Sequence, residues 1–264
     1  MQIPIALIGA GIWAKEEHAP AIEAADGLLL KAIYSRSITS ARSISEAISH
    51  PVDLYSEDTE KGYDDILRRS DIAAVVISLP IANQVPFIKA ALLAGKHVLS
   101  EKPVAENIKD AEDLIRWYRT DFKGPTWAIA GNWRYLKSYH FGAEQIKSLG
   151  RITGFQGRQH GMVPQDWKFN HEWTVACEKG WIKIENEKVT VSRDGKIEEI
   201  TVPNERTGVP PEIRAWETSL AVGKLRPEQE PEAVLADLEL IELILKSGQQ
   251  GGVPMESQHQ MVSL

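Results

Sequence analysis

Ile3-Pro4-Ile5-Ala6-Leu7-Ile8-Gly9-Ala10-Gly11-Ile12-Trp13-Ala14 is the stretch that decides the fold. Its first half is an unbroken apolar run, the pattern of a strand buried on both faces. Its second half places Gly9 and Gly11 two residues apart, ahead of a helix-like segment from Lys15 to Ala25. A strand that turns sharply into a helix points the helix's free amides and its positive dipole end at whatever sits above the turn. Gly9 permits the turn, Gly11 removes a Cβ where a phosphate would approach, and Ala14 is small enough for helix to pack on strand. The expectation is a dinucleotide site that includes Gly9, Gly11, Ile12 and Trp13.

Outward from this turn, strand and helix alternate. Apolar runs at Leu28–Ser35, Ile72–Leu79, His97–Ser100 and Trp127–Gly131 read as strands, with a shorter one around Tyr55. Between them, Thr39–Ser49, Tyr63–Arg69, Asn83–Ala94 and Ile108–Thr120 read as helices. Such alternation predicts a parallel sheet with right-handed crossovers. A further helix, Tyr135–Leu149, leads into a different texture. Arg151–His160, Glu172–Cys177, Trp181–Glu185, Lys188–Ser192 and Lys196–Val202 read as strands of an antiparallel or mixed sheet, with Asp194-Gly195 as a hairpin turn. Pro211–Ala221 and Pro231–Lys246 close the chain as helices. The fold class is therefore α/β: a doubly wound Rossmann-type sheet over residues 1–132, and a smaller α+β domain over 133–264.

Composition narrows the function. The chain has 264 residues, 43% hydrophobic and 25% charged, with a formal net charge of -7. That suits a globular protein, and it argues against nucleic acid or an anionic membrane as partner. No apolar run is long enough to span a bilayer. The one cysteine, Cys177, excludes an internal disulfide, reads as a small hydrophobe in a strand, and fits a reducing, cytoplasmic setting. No His and carboxylate set has metal-ligand spacing. At the end of the second strand, Ser35 and Arg36 stand where an NAD-preferring site would usually carry a carboxylate for the ribose. A hydroxyl and a guanidinium suit a 2′-phosphate, so NADP is preferred over NAD.

Further motifs give the chain a family likeness. His97-Val98-Leu99-Ser100-Glu101-Lys102-Pro103 ends a strand in Glu-Lys-Pro, downstream of the glycine turn. Ile77-Ser78-Leu79-Pro80 followed by Asn83, and Gly131-Asn132-Trp133-Arg134-Tyr135, agree with it. Together these resemble the Gfo/Idh/MocA oxidoreductases. Lys15-Glu16-Glu17-His18 with Tyr34-Ser35-Arg36-Ser37 is similar to fungal members. The resemblance implies hydride transfer between NAD(P) and a hydroxyl or carbonyl carbon of a small molecule such as a sugar, polyol or diol. It implies Lys102 as the catalytic lysine, with Leu79, Pro80, Asn83 and Glu101 beside the cofactor. An ammonium next to a reacting oxygen can donate to a forming alkoxide.

One family element is not found: an Asp-x-Gly-x-His segment at a helix start in the second domain. The comparison implies a second domain lacking part of its sheet, with open edges that also offer a route to homo-oligomers. Asp166 and His171, better read as part of a junction loop, and His160, better read as structural or solvent-facing, are the candidates to replace the missing acid/base group. A catalytically impaired, cofactor-binding accessory protein is the alternative to an active enzyme.

Overall fold

The computed structural model describes residues 2–160 and 170–259, the side chains of 159, 160 and 170 excepted. β1 (Ile3–Ile8) alternates its side chains between two cores: Ile5 and Leu7 on one face, Ala6 and Ile8 on the other, all fully buried. That double burial is why the segment is apolar throughout. The helical segment after it begins with a π turn at Ala14–His18, in which the Ala19 amide donates to the Ala14 carbonyl, and continues as α1 (Ala19–Glu23). Then come β2 (Leu28–Ser35), α2 (Ile38–Ser45), β3 (Asp53–Ser56), α3 (Tyr63–Leu67), β4 (Ala74–Ile77), α4 (Ile81–Leu93), β5 (His97–Glu101), α5 (Ile108–Thr120) and β6 (Trp127–Ala130). The sheet order is β3-β2-β1-β4-β5-β6, every pair parallel.

The chain divides into two compact units: residues 1–131 with Val209–Leu264, and Asn132–Gly208. This differs from the sequence reading, which places 209–264 with the second sheet. The reason is in the apolar faces of the closing helices, α7 (Val209–Val222) and α8 (Pro231–Gln249). Val209, Ile213 and Trp216 of α7 are fully buried in the core that contains Leu7, Leu30 and Val76. Val234, Leu235 and Leu238 of α8 join the opposite core with Leu114 and Ile115 of α5. Arg119 grips Glu232 with two nitrogens at 2.7 Å each, and Glu242 accepts from the Ile108 amide at 3.0 Å. The first sheet is thus covered by α1, α2 and α7 on one face and by α3, α4, α5 and α8 on the other.

The second unit opens with a 3-10 turn at Asn132–Tyr135 and α6 (Lys137–Ser148). Five strands follow: β7 (Ile152–His160), β8 (Asn170–Cys177), β9 (Gly180–Glu185), β10 (Lys188–Arg193) and β11 (Lys196–Thr201). Their order is β11-β10-β9-β8-β7, antiparallel throughout, and Asp194 and Gly195 turn the last hairpin at φ 50° and 76°. Leu149, Cys177, Ile182, Ile184, Val189 and Val191 form its core. The expectation of a truncated domain is corrected here. Each strand pairs with its neighbour in sequence, so the meander needs no strand from a missing block.

Candidate active site

The carboxyl ends of the parallel strands lie in register. Ile8 pairs with Tyr34 on one side and Ile77 on the other, and Ile77 pairs with Ser100. The residues that follow them, Gly9, Ser35, Ser78 and Glu101, therefore share one edge of the sheet. Open α/β sheets bind ligands at this edge, near the strand where the order reverses.

At the β1 turn, Gly9 adopts φ +113° and donates to the Tyr34 carbonyl at 2.8 Å. A Cβ on Gly9 would lie 2.1 Å from the Ser78 carbonyl oxygen, so no other residue fits. A Cβ on Gly11 would meet nothing within 4 Å. That open space above a helix start is what a pyrophosphate requires, and the residues present fit the group. The Lys15 amide donates to the Gly11 carbonyl at 3.0 Å, and the amides ahead of it begin the helix without helical acceptors. Ile12 is 58% exposed, while Trp13 is half-buried.

At the β2 end Ser35 is buried and Arg36 is exposed, with no ion-pair partner for Arg36 among the described residues. Ser37 caps α2, accepting from the Ser40 amide at 3.2 Å. The sequence reading missed Asp58, which accepts from the Ile38 amide at 2.9 Å and from Ser56 Oγ at 2.5 Å. Those two bonds hold its carboxyl below the usual carboxylate range. At the β4 end Leu79 packs beneath Gly9, exposed Pro80 caps α4, and Asn83 is exposed with its amide on the Pro80 carbonyl at 2.9 Å.

At the β5 end Glu101 accepts from its neighbour's amide, that of Lys102, at 3.2 Å, and its other oxygen lies 2.7 Å from His18 Nε2. Burial works against the charged carboxyl, but the His18 bond, with the Lys102 charge beside it, holds it below the ordinary range. Lys102 is exposed, its bond to Pro103 is cis, and the Pro103 carbonyl accepts from buried Gln84 at 3.1 Å. An exposed lysine at this strand end can present a proton to an oxygen above the sheet edge.

Two further residues join this place. His18 is fully buried on the π turn, and Glu212, from the first turn of α7, is fully buried with both carboxyl oxygens lacking a hydrogen-bond partner. His18 appears in the sequence only as part of a motif, and Glu212 carries no local signal at all.

In the second unit, Asp166 lies outside the described residues, as does the side chain of His160. His171 is half-buried, 4.3 Å from Trp133 at a steep angle, and burial pushes its imidazole down. Among the described residues no group of three His, Cys, Asp or Glu side chains could hold a metal, and no helix is long and apolar enough to cross a membrane.

Residues 3–121 match the GFO_IDH_MocA model, an oxidoreductase family with an NAD-binding Rossmann fold. Over that stretch the chain is similar to this family's nucleotide-binding domain. The chain is also similar to dehydrogenase FPY6 of Fusarium mangiferae, 40% identical over 176 residues, covering 65% of this chain and 50% of that protein. The chain spans about half the length of the curated relatives it matches. By structure it is similar to KijD10, a 3-ketoreductase from Actinomadura kijaniata in complex with NADP and TDP-benzene, at TM-score 0.77 and 18% identity. That match covers 93% of this chain and 98% of KijD10. A biliverdin reductase from Synechocystis, in complex with biliverdin and NADP+, matches at TM-score 0.76 and 14% identity over 93% of this chain and 98% of that one. Both matches run through the second unit as well as the first, which overturns the expectation that part of the second domain is lacking.

Proposed function

We propose that this chain is an NADP-linked oxidoreductase that transfers hydride between the nicotinamide and the hydroxyl or carbonyl carbon of a small molecule, with Lys102 as its proton donor. The observation that carries this reading is the register of β1, β4 and β5. It sets the Glu101-Lys102 bend two strands from the Gly9 turn, about 10 Å across the sheet edge at about 4.8 Å per strand. A dinucleotide anchored at one is long enough to reach the other.

When bound, the nicotinamide supplies the hydride. The chain supplies the rest. Gly9, Gly11, Ile12 and Trp13 form the turn that meets the pyrophosphate. Ser35 and Arg36 face the adenine ribose, and Arg36 is the cation that a 2′-phosphate would pair with. Leu79, Pro80 and Asn83 wall the middle of the cleft. Glu101 is locked by His18, so its backbone aims Lys102 outward, where the ammonium donates to the substrate oxygen as negative charge develops. Support for NADP comes from KijD10 and the biliverdin reductase, both described with that nucleotide. Assembly of copies through the second sheet belongs to the same reading, since Ile152 and Phe155 on edge strand β7 are 50% and 59% exposed.

The test is turnover. Purified protein is mixed with NADPH and a panel of ketones, aldehydes and keto-sugars, and nicotinamide absorbance is followed. NADPH consumption that is lost in Lys102→Ala supports the proposal. Tight NADPH binding with no consumption across the panel would favour the accessory protein instead.

A further inference from the structure

Glu212 poses a problem that the proposed chemistry leaves unsolved. It is fully buried, and neither carboxyl oxygen has a hydrogen-bond partner. An ionised carboxylate in that position would be poorly compensated for its lost hydration, and proteins resolve such a cost by keeping the group neutral. The side chain cannot escape to water, because α7 is pinned by Ile213 and Trp216 in the core, and the Glu212 carbonyl accepts from Gln229 at 3.4 Å.

The titratable groups on the elements around it are few. Glu101 and Lys102 act on it from the end of β5. The π turn Ala14–His18, which packs against α7, contributes buried His18, engaged with Glu101, and buried Glu17. Burial first, and then the Glu101 charge, push the Glu212 carboxyl well above the usual range, while Lys102 and the Gly131 amide pull the other way.

We propose that Glu212 is a positioning residue for the Glu101-Lys102 bend: it is held as a neutral carboxylic acid beneath the bend, and its ionisation at alkaline pH disarms the site by setting a second buried carboxylate against Glu101. Neutral Glu212 leaves Glu101 as the one carboxylate shared by His18 and the Lys102 amide. Ionised Glu212 would set a second buried negative charge against Glu101 and push it off its 2.7 Å contact with His18. The catalytic consequence rests on the reading of Lys102 above, whereas the protonation of Glu212 does not.

The experiment follows the Glu212 side-chain carbon by NMR in protein labelled at glutamate, its resonance identified by its loss in Glu212→Gln. At pH 7 it should sit at the carboxylic-acid position and titrate only at higher pH. The midpoint should fall by about one pH unit or more in Glu101→Gln and rise in Lys102→Met, as expected for a neighbouring charge removed. Lys102 is exposed, so its variant serves if the Glu101 variant fails to fold. In the active protein, the alkaline fall in kcat/KM should move to higher pH in Glu212→Gln. A carboxylate resonance at pH 7, or a midpoint indifferent to both neighbours, overturns the inference, as does an alkaline limb unmoved in Glu212→Gln. If no variant turns over, the reductase proposal fails and the NMR midpoints still decide this one.

Discussion

His18 Nε2 and Glu101 Oε1 meet at 2.7 Å across 83 residues of chain, joining the helix that follows the glycine turn to the strand that presents Lys102. The pair is buried on the His18 side and nearly so on the other, with side-chain exposures of 0% and 14%. Breaking such a pair strands one polar group in the interior. His18→Ala should therefore lower stability by about 3–5 kcal/mol, measured as a shift of the urea midpoint at constant slope.

The same pair sets an acid limit. The Glu101 carboxyl is lower in the folded protein than in the unfolded chain, so the unfolded state binds its proton first as pH falls. The stabilisation is present above the free-glutamate value of about 4.3 and is lost as pH drops through it toward the folded value. Urea unfolding between pH 6 and 3 should show this loss in the wild type, and a shallower decline in Glu101→Gln.

Glu212 predicts the opposite slope. Its folded value is raised by burial and by Glu101, so its contribution is intact below about pH 4.3 and declines as pH rises above that. Glu212→Gln should gain stability relative to wild type with rising pH, by up to about 1.4 kcal/mol per unit until the folded group ionises. Parallel stability curves for the two proteins from pH 5 to 8 would contradict this.

The two glycines of the turn should behave differently. Gly9→Ala forces a Cβ against the Ser78 carbonyl at φ +113° and should destabilise by about 2 kcal/mol or more. Gly11→Ala adds a methyl to open space, so stability should stay within about 1 kcal/mol. If that space belongs to a pyrophosphate, the nucleotide dissociation constant should rise at least about tenfold, near 1.4 kcal/mol. Thermal melts and titrations on the two variants separate the effects.

Arg36 decides between nucleotides. Arg36→Ala should weaken NADPH by about 1.5–3 kcal/mol, the range for a hydrogen bond to a charged group, and leave NADH within about twofold. Equal losses for both nucleotides would remove the 2′-phosphate role. Asp58, bonded to the Ile38 amide beside this position, is the carboxylate whose conversion to Asn should favour NADPH further.

What the sequence discloses is what is local. The Gly9 turn, the alternation of strands and helices, the Asp194-Gly195 hairpin and the Glu101-Lys102-Pro103 strand end are written within a few residues each, because φ and burial pattern act at that range. The helices α7 and α8 are equally plain as helices, but an apolar face does not say which sheet will cover it. Trp216 and Leu238 return to the first sheet, so the boundary drawn from texture missed them. Val209-Pro210-Pro211-Glu212 looks like an ordinary helix start with an acidic first turn. Its burial comes from elements distant in the chain, the π turn and the end of β6 among them. The expectation of a truncated domain arose from equating an absent motif with absent strands, whereas β7 to β11 make a continuous sheet.

The central claim is that the turn after β1 holds a nicotinamide dinucleotide. Calorimetric titration of NADPH into the purified protein tests it most directly. A saturable heat with one site per chain, strongly reduced in Gly11→Ala, is the predicted result. No heat with NADPH or NADH, from protein whose melting transition shows it folded, would contradict it.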